Sequence, residues 1–95
     1  MNQQEFEAAL KAENYPEIVH VSKEVGYQMH EHAHAFDAYA FILQGNITLT
    51  VNGVSTTYKA GETFRLAAHT PHEESAIPNG VNYLVGRRTE SILPT

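Results

Sequence analysis

Three of the chain's six histidines, His30, His32 and His34, stand on alternate residues in the stretch HEHAHAF. Side chains of an extended strand alternate between faces, so a strand running through this stretch projects all three imidazoles to one side. An H-x-H pair needs one further ligand from elsewhere to form a facial metal site with positions left open for water or substrate. A second histidine-bearing segment, with His69 and His72 in HTPH, follows far enough downstream for a neighbouring strand to bring one alongside. Neutral imidazoles suit borderline cations such as Fe(II), Ni(II), Zn(II) and Cu(II) better than calcium or magnesium. The chain has no cysteine, which excludes disulfides, thiolate ligands and a thiol nucleophile. The competing reading is a solvated strand edge with Glu31 as a local charge partner, and Glu73-Glu74 after His72 reads as a solvated charged pair. His20, between Val19 and Val21, reads as an ordinary strand residue.

The elements that must carry these residues are mostly strands. The opening segment alone is helical: Asn2 can cap it, Glu5 completes a capping box, and Phe6, Ala9 and Leu10 form an apolar stripe that ends at Tyr15-Pro16. From Glu17 onward the pattern is strand-like, with EIVHVSKEV followed by YQMHEHAHAF. Gly45-Asn46 and Asn52-Gly53 read as two-residue hairpin turns, predicting three antiparallel strands at about Asp37 to Leu43, Ile47 to Val51 and Val54 to Lys59. TFRLA, HEESAI and VNYLVGR complete the set, with a turn at Pro78-Asn79-Gly80 before the last. About eight short strands in so short a chain predict a closed or nearly closed antiparallel jelly roll.

At 95 residues the chain is read as one domain, residues 1–95, with a helix in 1–15 and a β-barrel over 17–88. Its 42% apolar and 18% charged composition is that of a folded globular protein. The net charge is -5 and the basic residues are scattered, which argues against nucleic acid as a partner. No stretch approaches the length of a membrane span and no secretory leader is evident, so a cytoplasmic protein without membrane association is expected.

Two segments resemble the cupin superfamily, specifically small single-domain bacterial cupins and ligand-binding domains of the arabinose-regulator type. Gly26, His32-Ala33-His34 and Gly45 follow the spacing of the first cupin motif, and Gly61, the AAH segment and His72 follow that of the second. The resemblance implies an all-β, antiparallel jelly-roll barrel with a short N-terminal helix. It also implies a divalent transition metal (Fe, Ni, Zn, Mn or Cu) held by His32, His34 and His72. Two departures are evident. The family glutamate falls on Ala38, leaving Asp37 or His30 as a fourth ligand, and Ala67 and His69 replace the usual proline and glycine. His69 is then a turn or pocket-rim residue, and histidine tolerates the positive φ that the turn demands. Phe36 and Tyr39 are candidates to line a pocket beside the metal, with the other aromatics as core. Arg65 anchors an anion if its strand face is interior and is solvent-exposed otherwise. Three functions remain open: a metal-dependent cupin, an oxygenase or isomerase, acting on a small polar or anionic molecule; a non-catalytic binding or sensor module without a functional metal site; and a homodimer built by pairing sheet edges.

Overall fold

A computed structural model describes residues 1–77 and 79–89. Pro78 of the expected turn, and the final residues of the expected domain, lie outside that range. The helix α1 spans Gln3–Ala12, and its capping box forms as the sequence implies: the Asn2 side chain accepts from the Glu5 N–H, and the Glu5 carboxylate accepts from the Asn2 N–H. Phe6 and Leu10 are its buried face. No helix among the described residues is long and apolar enough to cross a membrane.

Among the described residues seven strands follow: β1 (Glu17–Lys23), β2 (Gln28–His32), β3 (Phe36–Val51), β4 (Val54–Lys59), β5 (Thr63–Leu66), β6 (His72–Ser75) and β7 (Val81–Thr89). All pairings are antiparallel. The first part of β3 pairs with β7 and β5, and β7 pairs with β1; the second part of β3 pairs with β4 and β6, and β6 pairs with β2. The result is an antiparallel jelly roll whose sheet is not closed into a complete cylinder.

The strand count is lower than expected because two expected strands are one. Gly45-Asn46 does not form a hairpin; β3 runs through it for 16 residues, bulging between Ile42 and Gln44. Gly45 adopts φ 76, and a Cβ there would collide with the Gly80 carbonyl oxygen, which accepts the Asn46 N–H at 3.1 Å. The glycine therefore turns the strand from one sheet into the other, where a hairpin reading had made it a chain reversal. The Asn52-Gly53 hairpin forms as expected, linking β3 to β4.

The middle of β3 is buried on both faces, which explains its nearly uninterrupted apolar run. Ala38, Ala40 and Ile42 pack into the interior with Ile47, Leu49, Phe64, Val81, Tyr83 and Val85. Tyr39 and Phe41 face the other way, onto Phe6, Leu10 and Tyr15 of the helical segment. Close approach of α1 depends on Gly86, where a Cβ would lie 2.5 Å from a Leu10 methyl.

Gly45→Ala is expected to destabilise the fold by about 3 kcal/mol or more, combining left-handed backbone strain with a collision against main chain. Gly53→Ala, at φ 77 but with nothing within 4 Å of the new Cβ, should cost only about 1 kcal/mol. Urea unfolding of the two variants measures the difference.

Candidate metal centre

β2 and β6 are neighbours, and their register sets His32 directly opposite His72. His34 follows two residues beyond His32 on the same side. The ring centroids of His32 and His72 lie 4.4 Å apart, those of His34 and His72 5.3 Å and those of His32 and His34 4.8 Å. Glu74, two residues after His72, completes the group, and one ligand atom from each of these four residues lies within 4.8 Å of the others. Its Oε2 is 3.0 Å from Nε2 of both His32 and His72, and 4.0 Å from Nε2 of His34.

The surroundings orient His32, His72 and Glu74. His32 Nδ1 is 2.8 Å from the His30 carbonyl, and His72 Nδ1 is 2.9 Å from the Thr70 carbonyl. A carbonyl only accepts, so each Nδ1 carries the proton, and each Nε2 of a neutral ring presents a lone pair to the carboxylate. Acceptors facing one another at hydrogen-bond distance repel unless a proton or a cation lies among them. The Tyr27 hydroxyl donates to the other carboxylate oxygen, Oε1, at 3.2 Å and holds Oε2 toward the imidazoles. Burial, reinforced by the charge of Glu74 and this hydrogen bond, pushes the Tyr27 phenol up to about 12, so it remains a donor across the physiological range. Burial also lowers the pKa of His34; His32, His72 and Arg87 act in the same direction, while Glu74 opposes them.

Of the residues singled out in the sequence, His32, His34 and His72 converge. His72 is the most enclosed, at 1% exposure. Phe36 does border the cavity, stacked on His34 at 4.8 Å with a 17° interplanar angle. His69 lies at φ 65 in the β5–β6 turn, exposed, and its N–H donates to the His34 carbonyl at 2.7 Å; it positions the backbone of a ligand-bearing segment.

Three expectations fail. His30 does not join the group: β2 is irregular between Met29 and His32, and the extra residue breaks strict alternation, leaving His30 exposed in a groove with Gln28, Thr48, Thr50 and Glu73. Asp37 points away from the imidazoles, as strict alternation without a bulge requires, and instead accepts from the Ala68 N–H at 2.9 Å and pairs with Arg88 at 3.1 Å. These contacts, the Ala68 N–H foremost, hold its carboxyl below the usual range. Tyr39 is buried in the cluster beneath α1 and lines no part of the centre. Arg65 is on that outer side as well, exposed, forked onto Glu13 at 2.7 and 2.8 Å, and 3.7 Å above the Tyr39 ring.

Glu74 is the residue that sequence reasoning missed. Its signal was present, because His72-Glu73-Glu74 repeats the i, i+2 spacing of His32-Ala33-His34 and puts Glu74 on the face of His72. Ala38, where the family glutamate falls, borders the same cavity, so the carboxylate reaches the centre from β6 instead of β3.

The sequence profile described as Cupin domain matches residues 18–78. The chain belongs to the cupin family. Solved structures agree with this cupin on fold. An RmlC-like cupin from Shewanella frigidimarina superimposes with a TM-score of 0.65 at 21% identity, covering 79% of this chain and 66% of its own. A conserved protein of unknown function from Streptococcus pyogenes gives 0.65 at 26% identity, covering 78% and 65%. KdgF from a Halomonas species gives 0.62 at 21% identity, covering 81% and 73%. This cupin thus spans about two-thirds of the length of the first two structures. No curated protein matches it significantly.

Asp37→Asn separates a structural carboxylate from a ligand. It should leave metal binding unchanged and cost about 1 kcal/mol at pH 7, the discounted value of partly exposed charge-assisted contacts. Because folding lowers this pKa, the stabilisation is present above the unfolded carboxylate pKa of about 3.9 and disappears as the pH falls through the folded value. Urea unfolding of wild type and variant at pH 7 and in strong acid should show the gap closing.

Proposed function

We propose that this cupin binds one divalent transition metal through His32, His34, His72 and Glu74, and presents it to a small polar molecule in the interior of the jelly roll. The observation that carries the reading is the convergence of a carboxylate oxygen on two Nε2 atoms at 3.0 Å, with each ring's other nitrogen committed to a carbonyl. Backbone carbonyls that fix the tautomer and aim the free nitrogen are the usual outer support of histidine metal ligands. Three imidazoles and one carboxylate suit Zn, Fe, Mn, Ni or Cu, and bind Ca or Mg less well.

Each residue has a distinct part. His32 and His72 supply nitrogen donors from paired strands, His34 closes the third corner from the segment after β2, and Glu74 contributes the negative charge. Tyr27 keeps the Glu74 carboxylate from rotating. A bound divalent ion would supply Lewis-acid polarisation of a coordinated oxygen. Phe36, beside His34, gives the inner cavity an apolar wall, and Ala38 leaves space there that a longer side chain would fill.

Isothermal titration of chelator-treated, tag-free protein with zinc should give one ion per chain. His72→Ala and Glu74→Ala should each lower affinity by at least about 100-fold, while Tyr27→Phe, which frees the carboxylate without removing a ligand, should lower it by about 10-fold. Affinity should fall as the pH is lowered, because protons compete with the metal for the same donor atoms. Absence of saturable zinc binding by the wild type defeats the proposal.

A further inference from the structure

A second set of groups faces the same cavity from β1 and β7 and has no part in holding a metal. Tyr83, Val85 and Arg87 are alternate residues of β7, and all three border the space beside His34 and Glu74. Arg87 also borders the adjoining cleft of about 150 Å³, lined with His32, His34, Glu74, Tyr27 and Lys23 among others. Its guanidinium lies 5.1 Å from the centre of the Phe36 ring, the ring that stacks on His34.

Among the described residues nothing neutralises the charge on Arg87. Arg65 pairs with Glu13 and Arg88 with Asp37, but Arg87 forms no ion pair among the described residues, not even with Glu17, its register partner on β1. Its Nε is shut off from solvent and has no hydrogen-bond partner among the described residues. A buried donor left unmatched is costly by the measure of ordinary folding, and such a group calls for an explanation in the molecule's use. Lys23 borders the same cleft with its ammonium 4.8 Å from the Tyr27 ring centre. With a divalent ion balanced by Glu74 alone, the cavity would hold a net positive centre flanked by two further cations.

We propose that Arg87 is the anion anchor of this cavity and that the molecule bound beside the metal is a small carboxylate. The guanidinium fork matches a carboxylate in geometry as well as charge. The adjoining cleft of about 150 Å³ has room for a small ligand such as a short mono- or dicarboxylate. The Phe36 ring touches both groups, stacked on His34 with its centre 5.1 Å from the Arg87 guanidinium, and so links the anchor to the metal-ligand residues. This assignment rests on the metal-binding reading and adds to it the residue that selects the ligand.

The test uses zinc-loaded protein with succinate as probe and succinamide as its neutral counterpart, followed by titration calorimetry. Wild type should bind succinate at least 10-fold more tightly than succinamide. Arg87→Gln should lose at least 10-fold in succinate affinity while still taking up one zinc with affinity within about threefold of wild type, and Arg87→Lys should recover part of the loss. Arg87→Met, which removes the unmatched donor, should keep or raise the melting temperature; a merely structural arginine would lower it. Equal binding of acid and amide, unchanged succinate affinity in Arg87→Gln, or tighter binding of inorganic phosphate than of succinate overturns the assignment. Failure of wild type to take up zinc defeats the metal reading instead. In that event Arg87 is judged on zinc-free protein: succinate should still raise the melting temperature of wild type and not of Arg87→Gln, and no difference overturns the anchor too.

Discussion

One ligand atom from each of His32, His34, His72 and Glu74 lies within 4.8 Å of the others, and holding these polar groups so close together is the constraint that shapes the rest of the site. Left alone, His32, His72 and Glu74 would turn their rings and carboxylate apart. They are prevented by contacts that are individually ordinary: two Nδ1–H groups on backbone carbonyls, a tyrosine hydroxyl on Oε1 and a main-chain hydrogen bond from His69 to His34. Each holds one member of the group in an orientation that a proton or a cation among them makes favourable. Such preorganisation is how a folded chain achieves affinity for a cation that its unfolded form lacks.

The architecture serves this arrangement by bringing chain segments 40 residues apart into register, His32 against His72. Irregularities matter as much as the regular ladder. The bulge in β2 turns His30 outward while sending His32 and His34 inward. The left-handed residue at His69 returns the chain from β5 so that β6 begins with His72. On the far side, α1 seals the outer face of β3, so the strand that walls the cavity with Ala38 is itself supported from behind by Phe6 and Leu10.

Much of this was legible in the sequence because it follows from local rules. A capping box fixes its own geometry within four residues, and β-strand alternation placed His32 with His34 and turned Asp37 away. The two motif spacings implied the jelly roll and the pairing of His72 with the earlier histidines. What escaped depended on nonlocal information. Gly45-Asn46 satisfies the local requirements of a hairpin and of a strand bend alike; the deciding partner is Gly80, 35 residues away. His30 obeys alternation until one extra residue interrupts it, and nothing in HEHAHAF marks where. Glu74 was hidden by its neighbour: an adjacent pair of glutamates resembles a solvated face, although only Glu73 is exposed and Glu74 points inward. Tyr39, aromatic and close to the histidines in sequence, sits on the outer face of β3, packed under α1.

The long third strand has a dynamic consequence. Since β3 donates main-chain hydrogen bonds to both sheets, neither sheet can melt while the other stays intact without tearing that strand in the middle. The chain is therefore expected to behave as one cooperative unit, with the slowest amide exchange at the strand's doubly covered centre, Ala38 to Ile42, and with opening motions concentrated at the rims and in the outer strands β1, β2, β4 and β5.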